Sequence, residues 1–212
     1  MPIFLLPVVI VVIASVAYLV RTKDPGRRSR FLRLAGLILM ALFTLFLGAF
    51  IVGDTFSDPG GWTAFGYVAT WAVPIAVLAA LAWFRPSLAT IVLAVLLVGL
   101  FGMYIWSAVS PDAWGSFEDS HGPIRTIIAF AIGAPLALLG WKRPLAAGVL
   151  LVLLVLPPAI LTLSGGEAIS ASILVATSPA TVTGIFYLLA VKLGTRKPPE
   201  TDEGTSAYPQ PA

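Results

Sequence analysis

Of the chain's 212 residues, 58% are hydrophobic and 11% charged, where an ordinary soluble domain has about 25% charged. The apolar residues come in uncharged blocks of roughly 18 to 25, enough to cross a hydrocarbon layer about 30 Å thick as helix, so a soluble globular fold is excluded. The net charge of +3 does not indicate nucleic acid, because the cations flank the apolar blocks; zero Cys and one His exclude disulfides, thiolate chemistry and metal sites needing two imidazoles.

The first block covers residues 3–20. No cation precedes it and a dense positive block follows it, so it reads as a first spanning helix, although Ser15-Val16-Ala17 resembles a signal-peptide cleavage site. Next comes the stretch RTKDPGRRSRFLR, with Arg21, Lys23, Arg27, Arg28, Arg30 and Arg33. Basic turns beside spanning helices stay on the cytoplasmic side, which puts the N-terminus outside. Further blocks at 31–53, 64–84, 88–109, 123–140, 144–163 and 168–193 bring the number of spans to about seven. The other inner segments are then Trp83-Phe84-Arg85-Pro86, Trp141-Lys142-Arg143-Pro144 and the tail from Lys192.

With this threading every Lys and Arg except Arg125 lies inside, and the outer loops carry Asp54, Asp58, Asp112, Glu118, Asp119, His121 and Glu167. Trp62, Tyr67, Trp71, Tyr104 and Trp106 form an outer aromatic belt, and Tyr18, Trp83, Trp141 and Tyr187 an inner one. The expected fold is all-α: a polytopic integral membrane helix bundle of about seven transmembrane helices, N-terminus outside and C-terminus cytoplasmic. Residues 1–193 form the transmembrane domain, and 194–212, rich in Pro, Thr, Glu and Ser, a disordered cytoplasmic tail. Compact loops and an Arg-rich, Ala-rich composition place it in a bacterial plasma membrane.

A weak repeat joins the two short inner turns. Leu81-Ala82-Trp83-Phe84-Arg85-Pro86 falls on Leu139-Gly140-Trp141-Lys142-Arg143-Pro144, so residues 65–109 and 123–163 are candidates for a parallel duplication. Any tight inner turn also favours interfacial Trp, snorkelling Arg and Pro at the first helical position.

No ionisable residue falls at the middle of a span, where such groups usually mark ion pathways. Seven helices with an outside N-terminus is the layout of the microbial rhodopsins, but there is no mid-helix lysine to hold retinal. No HExxH helix or GxSxG elbow occurs, and no enzyme or cofactor is expected. The most polar span is the last. Ser170, Thr177, Thr181 and Gly184 share one face with Ser178 at its edge, at about 100° per residue, and that face is expected to point into the bundle.

Pro179 frees the carbonyl of Val175, and Pro157 and Pro158 free those of Leu153 and Leu154. Broken helices of this kind line transporter sites, so Ser170, Thr177, Ser178 and Thr181 are the candidate substrate-binding residues. The competing reading is packing, with Ala176, Ala180 and Gly184 as one small-residue stripe and Ala129, Gly133 and Ala137 as another. The outer acids, above all Glu118-Asp119-Ser120-His121, are a weaker candidate for a hard cation, and a solvated acidic loop is the better account of them. Ser110-Pro111-Asp112 looks like the capped first turn of a helix, as does Ser164-Gly165-Gly166-Glu167. The expected role is a non-enzymatic membrane component of a larger assembly, with the lipid bilayer and other membrane proteins as partners. The alternative is a transporter or channel for a neutral or weakly polar solute.

Overall fold

The computed structural model describes residues 6–57, 61–121, 124–163 and 169–195. Within them the chain is all-helical, without strands: α1 (Leu6–Arg21), α2 (Pro25–Ser57), α3 (Gly61–Phe84), α4 (Pro86–Val109), α5 (Pro111–His121), α6 (Ile124–Lys142), α7 (Pro144–Leu163) and α8 (Ile169–Gly194). Three segments, Pro25–Ala49, Gly61–Phe84 and Pro86–Val109, are long and apolar enough to cross a bilayer, which fits a membrane protein. Shorter apolar helices run over Val8–Arg21, Pro144–Ile160 and Ser178–Gly194. The tail beyond Thr195 and the Ser164 to Glu167 segment lie outside the described residues.

Helix formation departs from the sequence reading in two places. The basic stretch is mostly helix, because Asp24 caps it. Its Oδ1 accepts from the backbone N–H of Gly26 at 2.8 Å and of Arg27 at 3.4 Å, its carbonyl accepts from Arg28 N–H at 3.1 Å, and Pro25 supplies the first helical position. α2 therefore begins six residues before the apolar block, and Arg33 sits on its third turn rather than in a loop. The α1–α2 turn is closed by stacking of Tyr18 on Phe31, with ring centroids 4.0 Å apart. The second departure is α5, an eighth helix inside an expected outer loop. It starts at Pro111, as the Ser110-Pro111 signal indicates, and folds back on α4 through a cluster of Trp106, Trp114 and Phe117.

α6 is the axis of the bundle and touches α2, α3, α4, α7 and α8. Ile132, Gly133, Pro135, Leu136, Ala137, Leu139 and Gly140 are buried in succession, so this helix is covered on every side along its second half. α4 presents a single stripe, Ala89, Leu93, Leu97, Leu100 and Tyr104, at the spacing of one helical face. α3 is the opposite case. Only Ala64 and Ala82 are buried among its described residues, while Val73, Val77 and Phe84 stand exposed. α1 lies at the periphery against α2 and α8.

The α3–α4 and α6–α7 turns lie together at one end of the bundle. Arg85 N–H donates to Leu81 at 2.8 Å and Ala89 N–H to Arg85 at 2.9 Å; in the second turn Arg143 donates to Leu139 at 2.7 Å and Ala147 to Arg143 at 3.0 Å. Proline at the first position of the following helix produces this shared geometry. The two turns also touch. Lys142 Nζ donates to the Trp83 carbonyl and stands 5.0 Å from its ring centroid, and Arg143 Nη2 donates to Ser87 Oγ at 2.7 Å.

Candidate functional site

α8 packs chiefly on α7 and α2 and also meets α6. It crosses α7 where two glycines face each other. A Cβ on Gly148 would lie 3.0 Å from the Gly184 carbonyl oxygen, and one on Gly184 would lie 3.1 Å from that of Gly148, so only hydrogen fits between the two backbones. Three hydroxyls then tie α8 to its neighbours. Thr183 Oγ1 donates to the Gly36 carbonyl at 3.2 Å, Tyr187 Oη to the Ala137 carbonyl at 2.6 Å, and Ser29 Oγ from α2 to the Ala190 carbonyl at 2.8 Å. All three are buried. The Tyr187 ring lies between glycines: a Cβ on Gly36 would stand 3.3 Å from Cε1, and one on Gly140 would press onto the ring at Cε2.

The polar face read from the sequence is not the packed face. Counted at about 100° per residue, the buried positions Pro179, Ala180, Thr183, Gly184, Phe186, Tyr187 and Ala190 centre about a third of a turn away from the line through Thr177 and Thr181. Thr181 is half-buried at the margin. Ser178, also half-buried, is on the side of exposed Ile185 and Leu189. The side chains of Ser170 and Thr177 lie outside the described residues. The α8 stripe does reach the interior at Ala180 and Gly184, and α6 and α8 are neighbours. However, Gly184 meets Gly148, and a Cβ on Gly133 would meet Met40 Cε at 2.7 Å, so at these two positions the stripes face other helices.

Among the outer acids, Asp112 is exposed in the first turn of α5; the side chains of Asp54, Asp58, Glu118, Asp119, His121 and Glu167 lie outside the described residues, as does that of Arg125.

A different cluster forms at the basic end. A cavity of about 500 Å³ opens between the third turn of α2, the start of α7 and the end of α8, lined by Arg33, Arg143, Pro144, Leu145, Ala146, Val191, Gly194 and Thr195. Arg33 Nε is buried there with no hydrogen-bond partner among the described residues. A second cavity of about 280 Å³, lined by Leu19, Arg28, Leu189, Lys192 and Leu193, opens on the other side of α8. An apolar cleft of about 190 Å³ runs between α4 and α7 beside Phe101, Tyr104 and Pro157. None of the three includes Ser178 or Thr181.

No protein family, curated protein or solved structure matches this chain.

What the site can do thus follows from its own geometry. The interior hydroxyls Ser29, Thr183 and Tyr187 all donate to main-chain carbonyls of another helix, which is the chemistry of a clamp. The cationic cavity carries positive charge and unfilled donor capacity at the bundle end, which is the chemistry of anion binding. Sequence reading passed over Thr183, because it weighed polarity along one face, and placed Tyr187 in an interfacial aromatic belt, whereas the structure buries its ring between helices beside Gly36 and Gly140.

Proposed function

We propose that this chain is a multi-pass integral membrane protein of about seven spans, N-terminus outside and C-terminus cytoplasmic, in a bacterial plasma membrane. It acts as a non-enzymatic membrane component of a larger assembly. One observation carries the second part of this reading: the buried hydroxyls of the α8 clamp are committed to interhelical bonds, while α3 packs on α6 along one side and turns Phe65, Val73, Val77 and Phe84 outward on the other. That outward face is available to a neighbouring membrane protein. Lipid tails cover such a face equally well, because hydrocarbon is as apolar as a helix partner, so the partner itself is what must be found.

The threading rests on the gathering of Arg28, Arg33, Arg85, Lys142, Arg143 and Lys192 near one end of the helices, where the positive-inside bias keeps cationic segments in the cytoplasm. The alternative, a transporter or channel for a neutral solute through Ser170, Thr177, Ser178 and Thr181, draws support from Pro157, Pro158 and Pro179 inside α7 and α8, which release backbone carbonyls.

Native mass spectrometry of the protein gently extracted from its own membrane tests the choice. A stoichiometric protein partner is the expected result. A bare monomer or homo-oligomer that retains a small neutral solute would overturn the assembly reading in favour of transport.

A further inference from the structure

The cavity at the basic end has features that the clamp and the exposed α3 face do not explain. Arg33 reaches it from the third turn of α2, well inside the helix start at Pro25, and Arg143 reaches it from the residue before α7. The first intrahelical bond at the start of α7 runs from Ala147 N–H to the Arg143 carbonyl. Pro144 has no N–H, so Leu145 and Ala146, both in the cavity wall, carry main-chain donors that no helical carbonyl accepts. Two arginine side chains, of which Arg143 also gives one N–H to Ser87, two amides without a helical acceptor and the positive end of a helix dipole line one space. Leu145 and Val191 add an apolar wall, and the volume of about 500 Å³ exceeds what a single water or a small ion fills.

We propose that this cavity binds a phosphate group, carried either by the headgroup of an anionic phospholipid or by a soluble phosphate. A phosphate offers acceptor oxygens in the fork geometry that arginine matches, and basic pockets between helices near the cytoplasmic surface are suited to lipid headgroups. The one competing use of Arg33 on the same wall is to cap the carbonyl end of α8 at Val191 to Thr195. That would stabilise the fold without any response to phosphate. The site needs no protein partner, so it stands or falls separately from the assembly reading.

The test uses the full chain in mild detergent. Lipid retained per protein is measured by mass spectrometry after loading with phosphatidylglycerol or phosphatidylcholine of identical acyl chains. The thermal midpoint is measured in inorganic phosphate and in chloride at matched ionic strength. Arg33→Gln and Arg143→Gln are compared with Arg30→Gln, an exposed cation on α2 outside the cavity wall.

If the phosphate is lipid-borne, phosphatidylglycerol is retained preferentially, and each cavity variant lowers retention about fivefold, the worth of one cation near a phosphate surface; Arg30→Gln leaves it nearly unchanged. If it is soluble, inorganic phosphate raises the midpoint, and Arg33→Gln and Arg143→Gln remove that rise without any lipid preference. The proposal is overturned by the absence of both responses, by an equal loss in Arg30→Gln, or by an Arg33→Gln variant that loses stability while keeping the full phosphate response. Should Arg33→Gln not fold, Arg143→Gln decides alone, since Arg143 is exposed.

Discussion

Gly140→Ala is the substitution whose effect the geometry determines most sharply. The added methyl would occupy the space of the Tyr187 ring, and a phenol ring is rigid, so relief requires the whole side chain to move. The other edge of the ring lies beside the Gly36 backbone, and the hydroxyl is anchored to Ala137 at 2.6 Å. Overpacking of this kind costs about 1–3 kcal/mol, and loss of the interhelical hydrogen bond adds about 0.6 kcal/mol. The sum is about 2–4 kcal/mol, which for a chain of this length lowers the unfolding midpoint by about 4–15 °C.

The assay is thermal unfolding in detergent for wild type, Gly140→Ala, Tyr187→Ala and the double variant. Tyr187→Ala alone should cost about 3–5 kcal/mol, as for removal of a buried aromatic. In that background the extra methyl has room, so Gly140→Ala should become nearly neutral, giving a coupling of about 2 kcal/mol or more between the two sites. A Gly140→Ala variant as stable as wild type would refute the reasoning. So would an equal cost in both backgrounds, since the damage would then not pass through Tyr187.

The remaining predictions concern other contacts of the same bundle. At the α7–α8 crossing, Gly184→Val should destabilise by about 2 kcal/mol or more because its side chain meets the Gly148 carbonyl and Val152, whereas Gly102→Ala, with nothing within 4 Å, should be neutral or slightly stabilising by helix propensity; parallel thermal melts decide. Thr183→Val should cost up to about 1.7 kcal/mol, the upper range for interhelical hydrogen bonds in membranes. Replacing both Thr177 and Thr181 by Val should leave any solute flux in proteoliposomes unchanged, and a loss of flux with intact folding would restore the transport reading. Asp24→Ala should fray the start of α2 and cost about 1 kcal/mol, as for other N-caps, read as faster amide exchange at Gly26 and Arg27.

The existence of the helices was legible in the sequence because uncharged blocks of spanning length have few other physical solutions. Their arrangement was less so. In a soluble protein an apolar stripe shows which face is buried, but lipid is as apolar as the core, so hydropathy does not separate the enclosed α6 from the exposed α3. Small residues carry that information instead. Ala129, Gly133 and Ala137 do mark the buried helix, although their partners are Met40, Leu154 and Tyr187 rather than the stripe on α8.

The buried face of α8 lies about a third of a turn from the polar face read in the sequence, for a related reason. Thr177 and Thr181 draw attention as polar groups, but Thr183 and Tyr187 are the ones facing helices with glycines opposite them. The Asp24-Pro25 pair was readable as a helix start and was outweighed by the surrounding positive charge, which favoured a loop. α5 was visible only as a starting signal at Ser110-Pro111, since its polar composition gives no spanning block. The basic cavity was not legible at all, because Arg33 and Arg143 are 110 positions apart and only the packing of α2, α7 and α8 brings them together.

The seven-span threading has a direct test, which the absence of native cysteine makes clean. Single cysteines replace Trp62, Asp112, Phe84 and Thr195, all exposed, and intact cells are treated with a membrane-impermeant maleimide before and after permeabilisation. The account predicts labelling of Trp62→Cys and Asp112→Cys in intact cells, and of Phe84→Cys and Thr195→Cys only after the membrane is opened. The reverse pattern, or a cysteine pair from one end labelled on opposite sides, would contradict it.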